Sequence, residues 1–127
     1  MEREFVPYEL AVKLKELGFD EECLAGYKKE LLTDDGRVLN NTFIIYGGSV
    51  NYNIGDEVIS APLKQQAFKW FREKQGLIYN IGHIGHTNTW AYEIINMRIA
   101  GPNYGYGETY EEAELACLVK LIEIVKK

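Results

Sequence analysis

The sequence predicts an α+β fold: a single domain over residues 1–127, with an antiparallel sheet packed with three helices in the order helix, strands, helix, hairpin, helix. Three observations carry this. Three stretches place apolar residues at helical spacing and have helix start or stop residues at their ends. Between them lie runs rich in β-branched and aromatic residues, joined by short Asp, Gly and Asn connections of the hairpin kind. Helices segregated from hairpin-joined strands favour α+β over an alternating parallel architecture. The length of 127 residues suffices for one core, because a chain of this size buries about two-thirds of its surface.

The first helix is expected from Pro7 to Leu17, where Leu10, Ala11, Leu14 and Leu17 form one stripe. Pro7 suits the first turn, where a missing N–H loses no bond. Gly18 is the expected left-handed stop, with Phe19 folding back on the helix end. Residues 22–32 alternate Cys23, Ala25 and Tyr27 with polar or small residues, as a strand does. Asp34-Asp35-Gly36 is a turn signal. Thr42 to Tyr46 is the clearest strand, and Gly47-Gly48 is expected to end it. Asn51 to Asp56 is turn-rich, a loop or short strand.

Ser60-Ala61-Pro62 is expected to open the second helix, with Ser60 as N-cap and Pro62 in the first turn. It runs to about Lys74, with Gly76 past its end. Leu63, Ala67, Trp70 and Phe71 form its buried face; Gln65, Lys69 and Arg72 lie opposite. Leu77 to Ile84 and Thr89 to Met97 form a hairpin around Gly85-His86-Thr87-Asn88, with Trp90, Tyr92 and Ile94 on one face and Ala91, Glu93 and Ile95 on the other. Ala100 to Gly107 is expected to be a loop. Thr109 and Glu112 form a capping box at the start of the last helix, which runs from about Tyr110 to Val125. Its apolar residues cover well over half of its circumference, so it lies across the sheet or in part serves a homo-oligomer.

Apolar residues are 46% and charged residues 26% of the chain, ordinary for a globular domain. The net charge of −5 disfavours sequence-independent binding of nucleic acid, which basic proteins achieve by displacing cations from phosphates. Cys23 and Cys117 lie in apolar contexts and read as buried, reduced thiols, with one disulfide between them as the alternative. No apolar run approaches the ~18 residues of a membrane span, and the segment MEREFVPYE has no signal-peptide core. The cytoplasm is the expected location, with no membrane partner.

Three segments carry a resemblance: PYELA through LKELGFDE, SAPLKQQAFKWFREK, and TYEEAELACL. In this order they look like a family of small uncharacterised proteins of Bacteroidetes and their phages or prophages. They cover about half of the chain and all three expected helices. The resemblance implies a bacterial host cytoplasm and a mobile-element setting, and it carries over no activity.

The candidate residues lie among nine tyrosines and twelve glycines. Tyr46, Tyr52, Tyr104 and Tyr106 sit beside Gly and Asn rather than in periodic segments, with Asn51 next to Tyr52. Rigid rings of this kind supply contact area at little entropy cost. The Gly-rich run before the last helix is either a plain connection or an aromatic lid for a planar ligand or a partner. His83 and His86 are most simply polar residues at a hairpin tip; ligand contact, metal binding and acid–base chemistry are the sharper alternatives. Lys69 and Arg72 are a solvated helix face or a contact for nucleic acid or a nucleotide. Asp34-Asp35 and Asp56-Glu57 read as turn residues.

Catalysis needs convergent polar groups, and these stand apart in the sequence. No catalytic residue, metal or cofactor is therefore expected. The reading is a non-catalytic binding protein that uses Tyr-, Gly- and Asn-rich loops to engage a host protein or sequester a nucleotide-type small molecule, a counter-defence role in a mobile-element setting. The alternatives are a small hydrolase using His83 or His86, and a nucleic-acid adaptor using Lys69 and Arg72.

Overall fold

The computed structural model describes residues 2–95 and 103–126. It has the expected α+β class, with helices α1 (Tyr8–Glu16), α2 (Lys64–Gln75) and α3 (Tyr110–Lys126). The strands divide between two three-stranded antiparallel sheets rather than one. The chain forms two compact units, Met1–Ala67 and Phe68–Lys127. The expected strand residues 96–97, loop residues 100–102 and Lys127 lie outside the described residues.

In the first unit, Pro7 precedes α1 as its extended N-cap (ψ 159°) instead of entering the first turn. Leu10, Ala11 and Leu14 are buried as the stripe requires. Gly18 takes φ +93° and Phe19, 1% exposed, donates its N–H back to the Leu14 carbonyl at 3.0 Å. This is the glycine-terminated helix end expected from Leu17-Gly18-Phe19.

Strands β1 (Cys23–Leu32) and β2 (Val38–Val50) form a hairpin whose turn is closed by Asp35, which accepts from the Thr33 hydroxyl and from Arg37 Nε. β3 (Val58–Ser60) pairs on the other side of β1, giving the order β2-β1-β3. Two expectations are corrected here. Gly47-Gly48 does not end β2; the strand continues to Val50 through a register break opposite Cys23–Ala25, and Gly47 takes φ +81° there. A bulge absorbs the extra residues without ending the pairing.

Ser60 is not a helix cap. It closes β3, donating its N–H to Asn53 Oδ1 at 2.9 Å and accepting the Tyr52 N–H on Oγ at 3.0 Å. Its hydrogen-bonding groups serve the short 3-10 turn Tyr52–Ile54, and α2 starts at Lys64.

Tyr27 lies at the heart of this unit. Its ring meets Tyr8 and Phe43 at centroid distances of 5.5 Å, and its hydroxyl donates to the Val6 carbonyl at 2.8 Å. The N-terminal segment is held alongside, because Val6 N–H bonds the Pro62 carbonyl and Phe5 bridges Leu63.

In the second unit, α2 ends before Gly76 (φ +68°), and Leu77 N–H reaches the Phe71 carbonyl. β4 (Ile78–His83), β5 (Trp90–Ile95) and β6 (Tyr104–Gly107) form a meander in that order. Residues 104–107 are thus strand, not the expected loop. The run Tyr-Gly-Tyr-Gly puts both glycines on one face, and that face has no room for side chains. A Cβ on Gly105 would lie 2.4 Å from the Tyr92 ring, and one on Gly107 2.5 Å from the Ala113 backbone nitrogen.

Helix α3 packs across this inner face against all three strands and buries Ala113, Cys117, Leu118, Leu121 and Ile122. Its N-terminus is capped as expected by Thr109 Oγ1, which accepts from Glu112 N–H at 3.1 Å. The Glu112 carboxylate reaches one residue further back, to Glu108 N–H, at 2.9 Å. Phe68, absent from the expected buried face of α2, is 2% exposed and stacks on Tyr79 with centroids 4.2 Å apart.

Both cysteines are free and buried. Burial pushes each thiol up to about 12, and burial likewise pushes the Tyr27 hydroxyl up to about 12. The native state therefore keeps protons at high pH that the unfolded chain releases from about pH 8.5 upward. The stability held through these three groups is complete below that pH and falls as pH rises toward 12. Urea midpoints between pH 7 and pH 11 are expected to decrease; a flat profile would contradict the burial. A thiol reagent at pH 8 is expected to label both cysteines in urea and neither quickly in the native protein.

Candidate functional site

The register of the second sheet assigns each of its residues to a face. Tyr79, Ile81, His83, Trp90, Tyr92, Ile94, Gly105 and Gly107 share the inner face, toward α3. Burial raises the hydroxyl of Tyr92 above its ordinary value. The other face presents Ile78, Asn80 and Gly82 from β4, Ile95, Glu93 and Ala91 from β5, and Tyr104 and Tyr106 from β6.

On this outer face one row runs Asn80, Glu93, Tyr104 and the next runs Gly82, Ala91, Tyr106. The two small residues of the second row leave a shallow, solvent-open hollow of about 360 Å³. Asn80, Glu93, Tyr104, Tyr106 and Ile84 surround it. Tyr104 and Tyr106 are 56% and 60% exposed, with ring centroids 6.0 Å apart and planes at 75°. Ile78, Ile84 and Ile95 are also exposed, flanking the hollow at either end of the strands. Tyr104, Tyr106, Ile78, Ile84 and Ile95 thus leave large apolar and aromatic side chains exposed on one face of the sheet.

Of the expected site residues, Tyr104 and Tyr106 line this hollow from the outer face, and His83 borders it from a position that the register assigns to the inner face. His83 pairs with Trp90 in the register, and its ring lies against the indole at 5.0 Å, at the edge of the site. His86 is exposed in the β4–β5 turn and does not line the hollow.

Tyr46 and Tyr52, in the first unit, form a separate pair at 4.9 Å. Their neighbour Asn51 is occupied locally, its side chain accepting from Asn53 N–H at 3.0 Å, the turn role common to Asn. Lys69 and Arg72 are exposed on α2. Among the described residues, no group of three or more His, Cys, Asp or Glu gathers where it could hold a metal ion.

The lining residues missed from sequence are Asn80, Gly82, Ile84, Ala91, Tyr92 and Glu93. The signal for two of them was present, because Ala91 and Glu93 were assigned to the face opposite Trp90 and Tyr92. Asn80 and Gly82 join them only through the pairing of β4 with β5.

No protein family, characterised protein or solved structure matches the chain. Among the described residues, no helix is long and apolar enough to cross a membrane.

Proposed function

We propose that this chain is a non-catalytic binding protein that docks a partner protein on the outer face of the β4-β5-β6 sheet. The observation that carries the reading is the exposure of Tyr104 and Tyr106 beside Ile78, Ile84 and Ile95 on a face that no helix covers among the described residues. Small-molecule sites enclose most of their ligand, and the open hollow favours a macromolecular surface over a sequestered nucleotide. Its lining includes Glu93 and neither lysine nor arginine, which also disfavours a phosphate-bearing ligand. The resemblance to small proteins of Bacteroidetes and their phages supports a host-protein partner in the cytoplasm and a counter-defence setting.

The test is affinity capture from host lysate with the parent protein and a Tyr104→Ala, Tyr106→Ala variant, followed by binding to the purified captured protein. A loss of affinity of at least about tenfold is expected, the size of effect that exposed aromatic anchors contribute. Equal binding by the variant, or no partner at all, overturns the reading.

A further inference from the structure

The geometry points to a specific occupant for the hollow on the β4-β5-β6 sheet: an arginine side chain of an extended partner segment, flanked by apolar residues. This rests on the docking reading above and adds the chemistry of recognition.

The lining side chains of the outer face include two tyrosine rings and one carboxylate; Tyr92 and His83, which also border the hollow, belong to inner-face rows. Glu93 stands between Asn80 and Tyr104 in one cross-strand row, and Tyr106 rises at the end of the next. Cross-strand neighbours have Cβ atoms about 4.5–5.5 Å apart, so the carboxylate lies within one side chain's reach of both its row partners. Among the lining residues Glu93 is the only Asp or Glu, and none is Lys or Arg. A cation entering the hollow meets an acceptor carboxylate, an amide and the faces or edges of two tyrosines, the setting in which cation–π attraction operates.

A guanidinium suits this arrangement better than an ammonium. It is planar, stacks on an aromatic ring and donates laterally to a carboxylate at the same time. The floor at Gly82 and Ala91 is low enough to admit the flat group.

The neighbouring residues say what carries the arginine. Along each strand, side chains of one face repeat every ~6.8 Å. Ile78 and Ile95 share the row beyond Asn80 and Glu93, and Ile84 lies beyond Gly82. An extended segment has the same repeat, so with the arginine over Gly82 and Ala91 an apolar residue two positions away on one side falls on Ile84, and one four positions away on the other side falls on Ile78 and Ile95. The segment is therefore apolar-x-x-x-Arg-x-apolar.

The probe is the blocked peptide Ac-Val-Ser-Ser-Ser-Arg-Ser-Val-NH2, with citrulline or lysine in place of arginine as the comparison peptides. The readout is the amide NMR spectrum of the 15N-labelled protein. The arginine peptide is expected to bind with a dissociation constant of about 1 mM or tighter, shifting Asn80, Gly82, Ala91, Glu93, Tyr104 and Tyr106. The neutral citrulline peptide should bind at least about tenfold more weakly, with lysine between the two. Glu93→Gln, at an exposed position, should weaken arginine binding about fivefold or more, with its own spectrum otherwise unchanged.

Equal binding of arginine and citrulline peptides, insensitivity to Glu93→Gln, shifts elsewhere on the protein, or no shifts at all would overturn the proposal. The docking reading fails separately: a captured partner that is lost with Tyr104→Ala, Tyr106→Ala but kept with Glu93→Gln leaves docking intact and removes the arginine.

Discussion

Replacing Gly107 by alanine is expected to destabilise the protein by about 2 kcal/mol, lowering the melting temperature by roughly 5–10 °C. A Cβ at this position would sit 2.5 Å from the Ala113 nitrogen, 2.9 Å from the Glu112 carbonyl carbon and 3.0 Å from the Ala113 Cα. All three are backbone atoms of α3, so no side-chain rotation relieves the contact. Either the helix lifts from the inner face of the sheet, opening space around Ala113 and Cys117, or β6 tilts away from β5. Gly48→Ala is the control, because nothing lies within 4 Å of a Cβ there, and its effect should stay within about 0.5 kcal/mol. Thermal melts of the two variants decide the matter, and equal melting temperatures would refute close docking of α3 on Gly107.

Gly105→Ala has a different obstacle, the buried ring of Tyr92. Smaller side chains at residue 92 are therefore expected to compensate partly for Gly105→Ala and not at all for Gly107→Ala.

Tyr27→Ala is expected to cost about 3–5 kcal/mol, the range for removing a buried aromatic ring. The ring is 4% exposed and contacts both Tyr8 on α1 and Phe43 on β2, so its loss loosens helix and sheet together. Tyr27→Phe isolates the hydroxyl. It keeps the ring contacts but leaves the Val6 carbonyl without the 2.8 Å hydrogen bond, an expected loss of about 1–2 kcal/mol. Urea unfolding monitored by tryptophan fluorescence gives both numbers. A Tyr27→Phe variant as stable as the parent would show that water replaces the hydroxyl. The same variant should also flatten part of the stability loss above pH 9, since Tyr27 is one of the three groups whose protons the fold retains.

The helices were readable because their determinants are local. Gly18 after Leu17, Gly76 after Gln75 and Thr109 three residues before Glu112 act within one turn of the chain, and each stands at its expected helix end. Ser60 misled for a physical reason. A Ser-x-Pro segment has the residues of a helix start, yet the Ser60 hydroxyl and N–H are taken by Tyr52 and Asn53, eight and seven residues away. The run 104–107 misled in the opposite direction. Its glycines suggested a loop, whereas each is the absence of a side chain where Tyr92 or α3 must approach. The alternation Tyr-Gly-Tyr-Gly was itself a two-residue period, and it is the one local sign that the tyrosines share a face.

By itself the sequence determined the α+β class, the three helices with the glycine stops of the first two and the cap of the third, and the opposed faces of β5, because capping and periodicity act over a few residues. Only the tertiary structure decided that the strands form two sheets, that Tyr104 and Tyr106 stand beside Glu93 and Asn80, and that Tyr46 and Tyr52 form a pair of their own. Those outcomes depend on which strands pair and in what register, and pairing is fixed by contacts between residues far apart in the chain. The excess of tyrosine was visible in the composition; its arrangement around a small-residue floor came from the register of β4, β5 and β6.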